Sequence, residues 1–206
     1  MKLLLATRSP HKIEEIRALL GHVTGLELLD LDGIGVPPDS AEDELEPYDT
    51  FEENARSKAA YFQSFTRLPT VADDSGIEID ALGGQPGVRS RRFAPLPETA
   101  GREEQDEANN RHLLALLAGV EPTRRTARYV CVAALVEGKG RETLFRGTAE
   151  GVILESPRGR AGFGYDPLFQ EIGLGRTFAE VDAREKHARS HRGEAFRALT
   201  AYLRAQ

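Results

Sequence analysis

The sequence predicts an α/β (mixed α+β) fold, one domain with two lobes around a central cleft. Three observations carry that expectation. Short apolar runs alternate with segments that are apolar at helical spacing, which is the pattern of strands and helices packed in layers. Two long β-rich runs then follow each other late in the chain. The length, 206 residues, suits one domain, and 40% apolar with 29% charged residues is globular rather than disordered. Ligands commonly lie in a cleft between lobes.

The elements follow in order. Residues 2–7 read as a first strand. Pro10 stands where a helix begins, because its ring already holds a helical φ. Ile13, Ile16, Leu19 and Leu20 then recur at helical spacing up to Gly21. Residues 26–31 make a second strand, and 33–47, rich in Gly, Pro and acid, a loop. Thr50 caps a second helix whose inner face is Phe51, Ala55, Ala59 and Phe62. Residues 69–73 form a third strand and 77–82 a fourth. Residues 102–117 are helical, with Leu113, Leu114, Leu116 and Leu117 apolar. Residues 126–136 and 143–154 pair as an antiparallel hairpin through Glu137-Gly138-Lys139-Gly140. Residues 190–203 close the chain as a helix, with Ser190 as its cap.

Composition narrows the function classes. A formal net charge of −6 does not draw in polyanions, so no nucleic-acid partner is expected, and a nucleotide would need a local basic cluster and a metal. No apolar stretch reaches the ~20 residues that span a bilayer, and the first residues are too short for a secretory signal. The expectation is a cytoplasmic protein with no membrane partner. The single cysteine, Cys131, lies in an apolar run and reads as a packed core thiol.

Five clusters carry the chemistry. Asp73 and Asp74 follow an apolar run, and Ser75, Gly76 and two further glycine turns come after them. Carboxylates are costly to bury unpaired, so two at the end of a core strand make sense if a metal ion or a cation neutralises them. Adjacent strand residues point to opposite sides, so the two acids should not do the same job. Thr7-Arg8-Ser9-Pro10-His11-Lys12 offers hydroxyls, a lysine and a helix start to a phosphate, or is only a capped turn. Asn54 and Lys58 share a helix face, with Glu46 upstream, and could equally be surface residues. Phe163-Gly164-Tyr165-Asp166, flanked by glycines, can present a ring to a flat ligand or pack its aromatics inward. Lys186 with Ser190-His191-Arg192 can offer donors or cap a helix.

In their order and wording these clusters resemble the inosine triphosphate pyrophosphatase family over nearly the whole chain. The matching elements are Thr7, Ser9 and Lys12; Glu46 with Thr50, Phe51, Glu53, Asn54, Ala55, Lys58 and Ala59; residues 72–76 with 83–88; residues 162–167; and Lys186 with residues 190–193. Two departures stand out: Ser9-Pro10 where the family has asparagine, and Arg89-Ser90-Arg91-Arg92 where it has Tyr-Ser-Ala-Arg. Thr-Arg-Ser-Pro also resembles the opening of the Maf-type nucleotide pyrophosphatases.

The resemblance implies an elongated mixed sheet in a single pyrophosphatase domain over residues 1–206. It implies hydrolysis of ITP, dITP and XTP to the monophosphate and pyrophosphate, by a homodimer with one Mg²⁺ per site and Mn²⁺ as a substitute. Glu46 and Asp74 would hold the metal, with Asp74 as proton acceptor. Thr7, Arg8, Ser9, Pro10, His11, Lys12, Asn54, Lys58 and Ser75 would line the phosphates. Phe163, Gly164, Tyr165, Asp166, Lys186, His191 and Arg192 would meet the base. The alternatives are a Maf-like enzyme acting on pyrimidine or modified nucleotides, and a non-catalytic nucleotide-binding protein.

Overall fold

The computed structural model describes residues 1–97, 101–138 and 140–205; Lys139 of the expected hairpin loop lies outside them. Strand β1 (Lys2–Leu5) leads into helix α1 (Pro10–Leu20), then β2 (Glu27–Asp30), α2 (Phe51–Thr66) and β3 (Thr70–Ile79). The short β4 (Pro86–Gly87) and α3 (Arg102–Leu116) follow. Then come β5 (Thr126–Gly138), β6 (Arg141–Ile153), β7 (Phe169–Glu171), α4 (Ala183–Arg189) and α5 (His191–Arg204). The strands form one seven-stranded sheet in the order β2-β1-β3-β5-β6-β7, with β4 on β3. β1 runs parallel to β2 and β3, while β4 runs antiparallel to β3 and β7 to β6. The sheet is therefore mixed, as the alternation of elements led us to expect.

The chain divides into two compact units. One comprises Met1–Asp74, Cys131–Gly147 and His191–Gln206. Its core joins Leu3, Leu5 and Val71 of the sheet to Ile16 and Leu20 of α1 and Phe196 and Leu199 of α5. Cys131 is fully buried there, and burial, with Asp73 beside it, pushes its thiol far above the ordinary range, so it is inert packing. The other unit comprises Ser75–Val130 and Thr148–Ser190. Its core packs Ile77, Ile79, Leu113 and Leu117 against Tyr129, Tyr165, Phe169 and Phe178.

Local signals hold well at helix starts. Ser9 accepts from the Lys12 amide with Pro10 in the first turn, and Thr50 accepts from the Glu53 amide. Two expectations need correction. The 33–47 loop contains a 3-10 turn, Ser40–Glu44, closed by a capping box on Asp39. The third and fourth strands are one strand, so Asp73 and Asp74 sit in its middle rather than at an end. The chain stays extended through residues 74–76: the Ile77 amide donates to Ser90 Oγ (2.8 Å), and β4 pairs Ile77 and Glu78. Ser190 joins α4 to α5: its amide donates to the Lys186 carbonyl (2.7 Å), its backbone is extended, and it stands directly before the last helix, where the cap was expected.

Candidate active site

Within the first unit, α1, α2 and β3 bring Lys12, Asn54, Lys58, Asp73 and Asp74 together. Asp73 is the hub. Its Oδ2 faces Lys12 Nζ at 3.1 Å and accepts from Arg192 Nη2 at 3.1 Å and Nε at 3.3 Å. Its carbonyl oxygen accepts from Lys58 Nζ (2.8 Å) and Lys12 Nζ (3.3 Å). Burial opposes its ionisation, but Lys12, Arg192 and Lys58 outweigh that and hold the carboxyl far below the usual range. Asp73 is thus held as an anion by Lys12 and Arg192, while its carbonyl oxygen fixes both lysines. Its Oδ1 has no hydrogen-bond partner among the described residues.

Asp74 faces the other way and differs electrostatically. Its Oδ2 accepts from Asn54 Nδ2 (3.0 Å). Burial pushes its carboxyl up to about 6, with Glu46 adding to the rise and Lys12, Lys58 and the Asn54 bond opposing it. Asn54 also exchanges two hydrogen bonds with the Tyr48 backbone, which ties the segment after Glu46 to α2. Glu46 pairs with Lys58 Nζ. Burial of Glu46 works against that charge, but Lys58 and Lys12 bring its pKa below the ordinary value. Lys58 is raised in turn: its carboxylate neighbours Glu46, Asp73 and Asp74 overcome desolvation. Two carboxylates of unequal basicity beside two lysines can hold a triphosphate and a divalent cation and accept a proton from water.

The remaining residues of this unit divide. Thr7 Oγ1 accepts from the Ser9 amide (3.2 Å), so these hydroxyls shape the turn before α1, and Pro10 and His11 are exposed at its start. Arg8 makes five hydrogen bonds, to Asp32, to Glu42 twice and to the carbonyls of Val36 and Pro37, which fasten the loop that leads to Glu46. Arg192 is 2% exposed, and its guanidinium also reaches Glu15. His191 is buried at the start of α5.

The second unit gathers Phe163, Gly164, Tyr165, Asp166 and Lys186. Ser75, where this unit begins, is half-buried in β3. Asp166 Oδ2 accepts from Lys186 Nζ (2.7 Å) and from the Phe163 amide (2.9 Å), while Tyr129 Oη donates to Oδ1 (3.4 Å). Asp166 and Lys186 are both buried, so the pair fixes an ammonium where it would otherwise be costly. Lys186 Nζ then lies 4.7 Å from the Phe163 ring centroid. Gly162 is required here: its φ is +77°, and a Cβ would come within 2.1 Å of Asp166 Oδ2. Tyr165 is buried with its hydroxyl on the Ser90 carbonyl (2.8 Å), so it frames the site from inside.

Helix α3 supplies residues that the sequence reading passed over. Asp106 accepts from the Gly164 amide (2.9 Å), and Asn110 donates to the Gly164 carbonyl (2.9 Å). Asn109 donates to the carbonyls of Ser90 and Arg91. Arg102 lies over the Phe163 ring at 5.2 Å. The available signal was polar residues at four-residue spacing on one helix face, which is also what an ordinary solvated face displays. Among the described residues, no helix is long and apolar enough to cross a membrane.

The chain is similar to known proteins over nearly its whole length. The dITP/XTP pyrophosphatase of Frankia alni is 49% identical, covering 99% of this chain and 98% of that protein. The dITP/XTP pyrophosphatase of Thermus thermophilus is 43% identical, covering 97% and 90%. The solved HAM1 protein of Coxiella burnetii superposes with a TM-score of 0.85 at 35% identity over the full length of both chains. A nucleoside-triphosphatase / dITP/XTP pyrophosphatase of Mycobacterium abscessus reaches 0.74 at 40% identity, covering 97% of this chain and 98% of that one. The model of the Ham1 family matches residues 3–202, and the chain belongs to that family.

Proposed function

We propose that this protein hydrolyses the non-standard purine nucleotides dITP, ITP and XTP to the monophosphate and pyrophosphate. The observation that carries the reading is the asymmetric acid pair of β3: Asp73 held as an anion by Lys12 and Arg192 with its carbonyl oxygen on Lys58, and Asp74 raised to about 6 beside it. Lys12 and Lys58, held in place by Asp73, carry the positive charge that triphosphate binding needs. Asp74, ionised at neutral pH yet basic for an aspartate, accepts a proton from water. The water oxygen bonds to the α-phosphorus, the bridge to the β-phosphoryl group breaks, and pyrophosphate leaves with the bridging oxygen. The half-buried Phe163 ring, set beside Lys186, offers a surface for the purine.

The acids suit magnesium. Glu46 and Asp74 are oxygen donors whose like charges raise the pKa of Asp74, a repulsion that a cation removes. Among the described residues no set of three His, Cys, Asp or Glu side chains forms a cation cage. Two carboxylates, with phosphate oxygens and water completing the shell, are the usual arrangement for Mg²⁺. Bound there, Mg²⁺ would neutralise phosphate charge as the leaving group departs.

Product identity tests the reading. With Mg²⁺ and a panel of triphosphates, ITP and XTP give monophosphate and pyrophosphate. Release of orthophosphate with accumulation of the diphosphate would overturn it. A cytoplasmic homodimer without nucleic-acid or membrane partners belongs to the same proposal. Light scattering tests the assembly, and a monomer mass at assay concentration refutes it.

A further inference from the structure

The Phe163 ring stands between two glycines, Gly162 (φ +77°) and Gly164 (φ +61°), both in the left-handed region. Glycine has the most backbone freedom of any residue, so the local chain leaves this ring loosely hinged. A flat surface that swings must be ordered each time a base lands on it, and that ordering weakens binding. The position of the ring therefore depends on what holds the backbone of Phe163 and Gly164.

We propose that Asp106 and Asn110 are positioning residues for base binding: together they grip both backbone polar groups of Gly164 and so fix the Phe163 ring before substrate arrives. The inference rests on Phe163 being the base surface. Gly164 donates its amide to Asp106 Oδ2 (2.9 Å), and its carbonyl accepts from Asn110 Nδ2 (2.9 Å). The Phe163 amide and carbonyl are held inside the loop, by Asp166 Oδ2 (2.9 Å) and by the Asp166 amide (3.2 Å). All four backbone groups are thus bonded, two within the loop and two by side chains 58 and 54 residues away.

Helix α3 is a fixed support for this grip. Asp106 and Asn110 stand one turn apart on the same face. Leu113 of the helix and Leu117 just past its end are buried in the core of this unit. Buried Asn109 donates to the carbonyls of Ser90 and Arg91 and accepts from the Ala94 amide (2.8 Å). The needs of the helix itself do not explain Asn110. Asparagine is a modest helix former. Asn110 Oδ1 is buried with no hydrogen-bond partner among the described residues, a cost that a residue kept only for packing would avoid. The group in use is Nδ2, on the Gly164 carbonyl.

Two measurements test the proposal. The chain has no tryptophan, so Phe163→Trp places a single reporter on the loop. In the nucleotide-free protein, adding Asp106→Ala or Asn110→Leu should lower the fluorescence anisotropy of the indole and raise its quenching by acrylamide. In the otherwise native enzyme the same two substitutions should raise KM for ITP about three- to tenfold, the weight of one hydrogen bond, with kcat changed by less than about twofold. Asp106→Asn, whose side-chain oxygen can still accept from the Gly164 amide, should recover most of the loss seen in Asp106→Ala. Should either variant fail to fold, Asn110→Asp, which keeps the shape but sets an oxygen against the Gly164 carbonyl, decides by the same readouts. With KM for ITP raised in Phe163→Ala, an unchanged indole signal or an unchanged KM in the Asp106 and Asn110 variants would overturn this inference alone. An unchanged KM in Phe163→Ala would overturn the base-surface reading and this inference with it. A wild type that releases no pyrophosphate from ITP or XTP would overturn the pyrophosphatase reading as well.

Discussion

Replacing Asp74 with asparagine separates stability from turnover and so tests the central electrostatic claim. In the metal-free protein the Asp74 carboxyl stands near 6, against about 3.9 for an unperturbed aspartate. A raised acid pKa means that the fold disfavours the anion. Below the unfolded pKa both states are protonated and nothing is lost. As pH rises from about 4 to about 6, the unfolded chain releases its proton first, and stability falls. Above about 6 the full cost remains, about 2–3 kcal/mol at 1.36 kcal/mol per pKa unit. Asparagine keeps the shape and an oxygen for the Asn54 amide at 3.0 Å, without the charge. Thermal melts in EDTA should show Asp74→Asn more stable than the wild type at pH 7.5, by roughly 4–12 °C for a chain of this size. The gap should close toward pH 4. Turnover at pH 7.5 with saturating Mg²⁺ should fall by about 10²–10⁴, with nucleotide binding still measurable. A variant less stable than the wild type at pH 7.5, or a gap that does not shrink with acid, would refute the electrostatic argument. Near wild-type turnover would remove Asp74 from the chemistry.

Three other substitutions probe the supports. Glu46→Gln removes the partner of Lys58 and one carboxylate charge, and should raise the Mg²⁺ concentration at half-maximal activity by at least about tenfold; an unchanged Mg²⁺ curve counts against Glu46 as a ligand. Arg192→Ala leaves the buried anion of Asp73 without its Arg192 hydrogen bonds and should cost about 3–5 kcal/mol in urea unfolding, with a loss under about 1 kcal/mol showing that Arg192 is not structural. Gly162→Ala drives a Cβ toward Asp166 and should raise KM for ITP more than it lowers kcat, whereas wild-type kinetics would show that the Asp166–Lys186 pair tolerates movement.

Local chemistry was open to reading from the chain alone. The start of α1 at Ser9-Pro10 and of α2 at Thr50 is written in residues that satisfy the first free amides of a helix. The inner face of α2 is written in its apolar spacing, with Phe51, Ala55, Ala59 and Phe62 all buried. The separation of Asp73 from Asp74 follows from strand alternation, and the structure gives them opposite surroundings.

The tertiary structure decided which groups partner at long range. Residues 69–73 and 77–82 read as two strands, yet β3 runs on between them because Ser90 and β4 receive its backbone. Arg192 reads as a donor for a ligand, but it lies on Asp73, 119 residues away, and on Glu15. Arg102 and Asp106 read as a solvated helix face until the Phe163–Gly164 segment meets them. The reason is physical. Periodicity and capping report the burial and backbone demands of neighbouring residues, so they survive in one dimension. The partner of a charged side chain is chosen by strand order and helix placement, and buried charge goes to whichever opposite charge the fold brings within reach.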